Sequence, residues 1–139
     1  MGMENIYTTK IRPIPGFNTL NIQRQARDIY KKLARKTKRR PYIRSAYFHK
    51  EKIFLDYFWD HIYSKNWGDR MRRLKQYPCA LDLIMHSRIK PISKDNPNKS
   101  SEILHRFSGI NADNAIFFVQ IKEDRKNGQK CLISIFPGS

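Results

Sequence analysis

Cysteine is scarce in these 139 residues: Cys79 and Cys131 stand alone, without paired spacing. That excludes a cysteine-based zinc site and a dense disulfide framework, and it points to a reducing cytosol. No signal-peptide pattern opens the sequence, which adds to that cytoplasmic expectation. Acidic residues are few as well, with 12 Asp and Glu against 28 Lys and Arg. They form no paired or clustered set suited to a two-metal nuclease, so neither a metal nor a cofactor is expected. There is no glycine-rich phosphate loop and no dinucleotide fingerprint. No apolar run is long enough to span a bilayer and no lipidation motif is present, so a membrane is not the expected partner.

What is abundant is positive charge. A formal +16 on one compact domain repels itself unless a polyanion screens it, so nucleic acid is the expected partner. The charge sits unevenly. Residues 1–90 hold 21 basic and 7 acidic residues, while residues 91–139 hold 7 and 5. The front of the chain would supply the attractive field, and the back is nearly neutral.

Residues 1–17, with Pro13, Pro15 and Gly16, read as an extended arm ahead of a single domain at 18–139. Asn18 or Thr19 can cap a first helix, in which Ile22, Ala26, Ile29, Tyr30 and Leu33 recur on one stripe. Its other side carries Arg24, Arg27, Lys31, Lys32, Arg35 and Lys36, followed by Lys38, Arg39 and Arg40 before Pro41. Nine cations opposed only by Asp28 suit a surface that tracks a phosphate backbone. Lys52 to Tyr63 reads as a second helix, apolar nearly all round and therefore buried. A third pattern runs from Asn66 through Met71, Leu74, Pro78, Leu81 and Met85, as a kinked helix or two nearly collinear ones. Arg72 and Arg73 add to the basic surface. His61 and His86 fall within helical patterns and read as structural, while His49 lies between helices and could reach the sheet face as a second imidazole. Residues 90–101 read as a loop separating a helical part, 18–89, from a sheet at 102–137.

The sheet is expected to be antiparallel, of three or four strands, with the N-terminal helices packed on it: an α+β fold. Asn127-Gly128 marks a hairpin. A three-residue loop with Gly128 left-handed gathers Phe117, Val119, Ile121, Cys131, Ile133 and Ile135 on one face. A one-residue slip would invert every side chain, so the register with a wholly apolar face is preferred. The opposite face then shows Phe118, Gln120, Lys122, Leu132, Ser134 and Phe136, with Gln120 directly across from Ser134. The preceding hairpin turns at Asn111 to Asn114. An even loop would bring His105 to that face, an odd one Arg106.

A cation, an imidazole and a hydroxyl on one face suit metal-free cleavage of RNA, which uses the substrate's own 2′-hydroxyl as nucleophile. His105 would carry the proton, since imidazole alone titrates near neutrality unperturbed. Lys122 and Arg106 would hold phosphate oxygens, with Gln120 and Ser134 donating hydrogen bonds to them. Each residue also has an ordinary use: a strand histidine as hydrogen-bonder, Lys122 as an edge charge, Ser134 as a strand polar residue. A basic nucleic-acid-binding module without catalysis, or a component docked by an acidic protein, accounts for the same surface.

Five segments carry a resemblance: Lys52 to Trp59, Arg72 to Ala80, Leu104 to Phe107, Phe118 to Glu123, and Ser134 to Pro137. Over roughly residues 40–137 the chain resembles small proteins of phages and mobile elements that are related to the barnase–EndoU–colicin–RelE-like (BECR) nuclease superfamily. The resemblance implies a BECR-like fold whose exposed sheet face cleaves RNA. It also implies toxin-like action on tRNA or mRNA and a cognate inhibitor or antitoxin. Carried over, His105-Arg106, Lys122 and Ser134 occupy the reaction site. Asp113-Asn114 departs from the Asp-Gly expected at the hairpin turn.

Overall fold

The computed structural model describes residues 5–138. In chain order its elements are β1 (Ile6–Thr8), α1 (Thr19–Arg35), β2 (Tyr42–Arg44), β3 (Lys52–Phe54), α2 (Asp56–Ile62), α3 (Trp67–Lys75) and α4 (Tyr77–His86). Four further strands follow: β4 (Ile92–Asp95), β5 (Glu102–Ile110), β6 (Ile116–Asp124) and β7 (Lys130–Pro137). All seven strands join one curled sheet in the order β1-β5-β6-β7-β3-β2, and β4 shares the β1 side of β5.

The chain is α+β, but the expected three- or four-stranded antiparallel sheet under N-terminal helices is overturned. The sheet is mixed, since β1 runs parallel to β5 and β3 parallel to β7. Three of its strands also lie among the helices of the first half. The physical reason is shortness. Tyr42-Ile-Arg44 and Lys52-Ile-Phe54 each bury one β-branched residue between two outward-facing ones. Three residues are too few to stand out as alternation. The stretch Lys52–Tyr63 is therefore a strand followed by a helix. Its apolar character all round comes from Ile53 and Leu55 buried at the strand end and Phe58, Trp59 and Ile62 buried from α2.

Within the expected arm, β1 is tied down by Asp82 of α4, which accepts from Tyr7 Oη at 2.9 Å and Thr9 Oγ1 at 2.6 Å. Residues 1–4 of that arm, and residue 139, lie outside the described residues. Asn18 caps α1 by accepting from Asn21 N at 3.0 Å. The helical pattern through Pro78 is two helices meeting at Gln76. Pro78 occupies the first turn of α4, where its missing N–H is not needed. The expected loop 90–101 contains β4, whose four residues are all exposed.

One sheet face builds the core. Phe107, Phe117, Val119, Ile121, Leu132 and Ile135 pack into a cluster with Ile22, Leu74, Tyr77 and Leu83 from the helices. On the other face Phe118, Gln120, Lys122, Ser134 and Phe136 are half-buried and Arg106 is exposed.

Candidate nucleic-acid interface

Strand pairing lays the open face out in rows that cross the sheet. One row runs Tyr42, Phe54, Cys131, Lys122, Leu104, Lys94 through β2, β3, β7, β6, β5 and β4. The next holds Ser134, Gln120, Arg106 and Ile92. A third pairs Phe136 with Phe118. Side chains within a row are one strand spacing apart, about 4.8 Å. The cations Lys122, Lys94 and Arg106 and the rings of Tyr42, Phe54, Phe118 and Phe136 therefore share one face, with the buried Cys131 between Phe54 and Lys122.

The register differs from expectation in two linked respects. The turn before β7 is not the three-residue loop 126–128, since Asp124 N–H donates to the Gln129 carbonyl at 2.9 Å and leaves four residues between them. The strand beyond it carries a bulge. Gln120 is opposite Ser134, but Ile133 is an extra residue, a β-bulge. Beyond it the pairing moves by one, so Leu132 turns into the core while Cys131 leaves the apolar set for the Lys122 row. Lys122, Gln120 and Ser134 still share the open face. The turn before β6 holds five residues between the Ile110–Ile116 pair, with Asn114 at a φ of 65°. That odd count brings Arg106 to the face and sends His105 to the other side.

His105 is accordingly not at the expected reaction site. It is opposite Ile121, meets the Phe48 ring edge-on at 5.0 Å, and lies near Ser93 Oγ (Nδ1, 2.7 Å) and Glu123 Oε1 (Nε2, 2.8 Å). An ionised carboxylate only accepts, so Nε2 carries the hydrogen, and in the neutral ring Nδ1 takes one from Ser93. Both nitrogens are used in joining β4, β5 and β6.

A different imidazole borders the open face. His61 stacks on Tyr57 at 3.9 Å, and its Nδ1 donates to the Tyr57 carbonyl at 2.8 Å. A carbonyl cannot donate, so in the neutral ring Nε2 is the lone-pair nitrogen. His61 and Lys65 line a crevice with Arg73 and Ser134. Arg73, expected only as surface charge, reaches from α3 to donate to Ser134 Oγ at 2.9 Å and the Ile135 carbonyl at 3.2 Å. Arg106 lies over Phe136 at 5.2 Å and Phe118 at 5.9 Å. Lys122 sits over the Tyr57 ring at 4.4 Å and pairs with Glu102 at 3.4 Å. Burial pushes the Glu102 carboxyl up, but the Asn96 hydrogen bond and the Lys122 and Lys99 charges outweigh it, leaving the pKa below its ordinary value.

The other expected contacts divide into two groups. Arg24, Lys31, Lys32 and Arg35 are exposed on α1, and Arg27 is bonded to Tyr63 Oη at 2.8 Å. Arg72 is paired with Asp69 at 2.7 Å. Lys36, Lys38, Arg39 and Arg40 instead reach the β2–β3 end of the open face, where they line a cleft with Tyr42, Lys52 and Phe54. A cleft with Tyr42 and Phe54 in its wall was not expected, because the strands that present them are three residues long and carry no recognisable alternation. Among the described residues no three of His, Cys, Asp and Glu gather as metal ligands, and no helix is long and apolar enough to cross a membrane. Compared with protein-family models, curated proteins and solved structures, the chain matches none.

Proposed function

We propose that the chain is an endoribonuclease that binds single-stranded RNA across the open sheet face and cuts it by attack of the RNA's own 2′-hydroxyl. The observation that carries this reading is the shared face of Lys122, Gln120 and Ser134, with Arg73 bonded to Ser134 and Arg106 beside Gln120. Two guanidinium groups, an ammonium, an amide and a hydroxyl share this face, and donors of this kind, brought to a bound phosphodiester, would stabilise the charge that develops on a phosphorane. His61 lines a crevice with Arg73 and Ser134, and its Nε2, the lone-pair nitrogen of the neutral ring, suits the base that takes the 2′-hydroxyl proton. The O2′–P bond forms as the P–O5′ bond breaks, giving a 2′,3′-cyclic phosphate and a 5′-hydroxyl; the leaving oxygen takes a proton from water, and His61 returns the 2′-hydroxyl proton to the hydroxide so formed. The resemblance to the nuclease superfamily supports the same chemistry.

The test is an end-labelled RNA incubated with purified protein in excess chelator. Cleavage to cyclic-phosphate ends is expected, with a loss of about 10²-fold or more in His61→Gln and a loss in Lys122→Ala. Undiminished cutting by both variants removes them from the mechanism.

A second reading, a binding module without catalysis, draws on the Lys122–Glu102 pair, which already neutralises the central ammonium. It predicts salt-sensitive binding and RNA that stays intact throughout the same incubation.

A further inference from the structure

The β2–β3 end of the open face carries a cleft of about 650 Å³, well within the size range of ligand sites. Lys36, Lys38 and Arg39 form one wall, from the segment that leaves α1. Tyr42, Phe54 and Lys52 form the other, from the paired strands. The two rings meet edge to face, 6.2 Å apart at 70°, so they make a corner and not a flat plate. Arg40 lies 4.2 Å over the Phe54 ring and Lys52 lies 4.7 Å over the Tyr42 ring. Asp56 is held by Arg40 Nε and Nη2 at 2.8 Å each, and among the described residues no carboxylate forms a salt bridge with Lys36, Lys38, Arg39 or Lys52.

We infer that this cleft is a nucleotide subsite, taking one unstacked base against the Tyr42–Phe54 corner and its flanking phosphates on Lys36, Lys38 and Arg39. The charge alone would accept any polyanion. The rings and the Arg40 guanidinium plane add surfaces on which a flat base stacks, and a peptide carboxylate has nothing to place there. A base fits such a corner only when it is out of a duplex, so the ligand is single-stranded. The subsite is continuous with the reaction row: Phe54 is opposite Cys131, and Cys131 is opposite Lys122. Two strand spacings, about 10 Å, separate the Phe54 and Lys122 positions. One strand of nucleic acid can therefore occupy both, and this placement rests on the reading of the open face given above.

The binding itself is tested without cleavage, using a labelled single-stranded DNA 8-mer, which lacks the 2′-hydroxyl. Fluorescence anisotropy compares the natural protein with Tyr42→Leu, Phe54→Leu and the double variant, which keep apolar volume and charge but lose the rings. Polyglutamate serves as a polyanion without bases. The double variant is expected to bind the 8-mer about 5- to 150-fold more weakly, with an unchanged salt slope and unchanged polyglutamate binding. Failure of the natural protein to bind the 8-mer, an affinity loss below twofold, or an equal loss for polyglutamate each overturns the subsite. Intact RNA in the chelator assay together with ring-dependent DNA binding would overturn the nuclease reading and leave the subsite standing.

Discussion

Gln120 stands directly across from Ser134, and one residue further along the pairing slips, so that Ile121 faces Leu132 and Lys122 faces Cys131. The slip decides which side chains of β7 support the core. Leu132 is fully buried, whereas Ile133 is only half-buried. Leu132→Ala should therefore cost about 3 kcal/mol, and Ile133→Ala roughly half that. Urea unfolding of both variants checks the order. A larger loss for Ile133→Ala would mean that the strands pair without the bulge.

That bulge marks where sequence reasoning stopped. The Gln120–Ser134 pair, the left-handed Gly128 with φ at 73°, and the apolar face of β6 all follow from period-two alternation and turn chemistry. An extra residue at Ile133 does not, because Cys131, Leu132 and Ile133 are all apolar and either phase buries a greasy side chain. The side of the sheet taken by His105 depended on whether Ala115 belonged to the turn, a single residue that composition does not mark. β3 lies against β7 across 77 residues, from Ile53 to Lys130, and β2 reaches the sheet only through its pairing with β3, so two three-residue strands carried too little pattern to announce a distant partner. His61 reads as structural from the sequence because it falls within a helical pattern, yet α2 buries Phe58, Trp59 and Ile62 and leaves His61 exposed.

Gly109 makes a sharp test of the β5–α4 packing. A Cβ built there would lie 2.5 Å from Phe117 Cζ and 2.9 Å from Leu83 Cδ1. Phe117 is fully buried and Leu83 nearly so, which leaves neither free to withdraw. Gly109→Ala should destabilise by about 1–3 kcal/mol through overpacking. A denaturation midpoint equal to that of the natural chain would mean that this contact is looser than the structure has it.

Arg106 and Arg72 separate face from periphery. Arg106 is exposed over Phe136 beside Gln120, while Arg72 is engaged by Asp69 on α3. For single-stranded nucleic acid each phosphate contact contributes about 0.7 to the slope of log affinity against log salt. Arg106→Ala should lower that slope by about this amount, and Arg72→Ala should leave it unchanged. Equal slopes for the two variants would move the binding surface away from the sheet.

Two carboxylates set the acid side of the stability curve. The Arg40 hydrogen bond, working against burial, and the Arg40 charge hold Asp56 below its ordinary 3.8. Glu102 is also below its ordinary 4.5, because Asn96, Lys122 and Lys99 outweigh its burial. A carboxyl with a depressed folded pKa adds stability that is present in full above the unfolded value and is lost as pH falls through the folded one. Unfolding free energy should therefore hold between about pH 7 and 5 and decline below about pH 4.5 as these groups protonate. The double variant Asp56→Asn, Glu102→Gln should start lower at neutral pH and decline less steeply in acid, because the two groups that take up protons on unfolding are gone. Urea titrations at a series of acidic pH values measure both curves. Parallel acid limbs in the natural chain and the variant would show that Arg40 and Lys122 do not hold these carboxylates as the geometry requires.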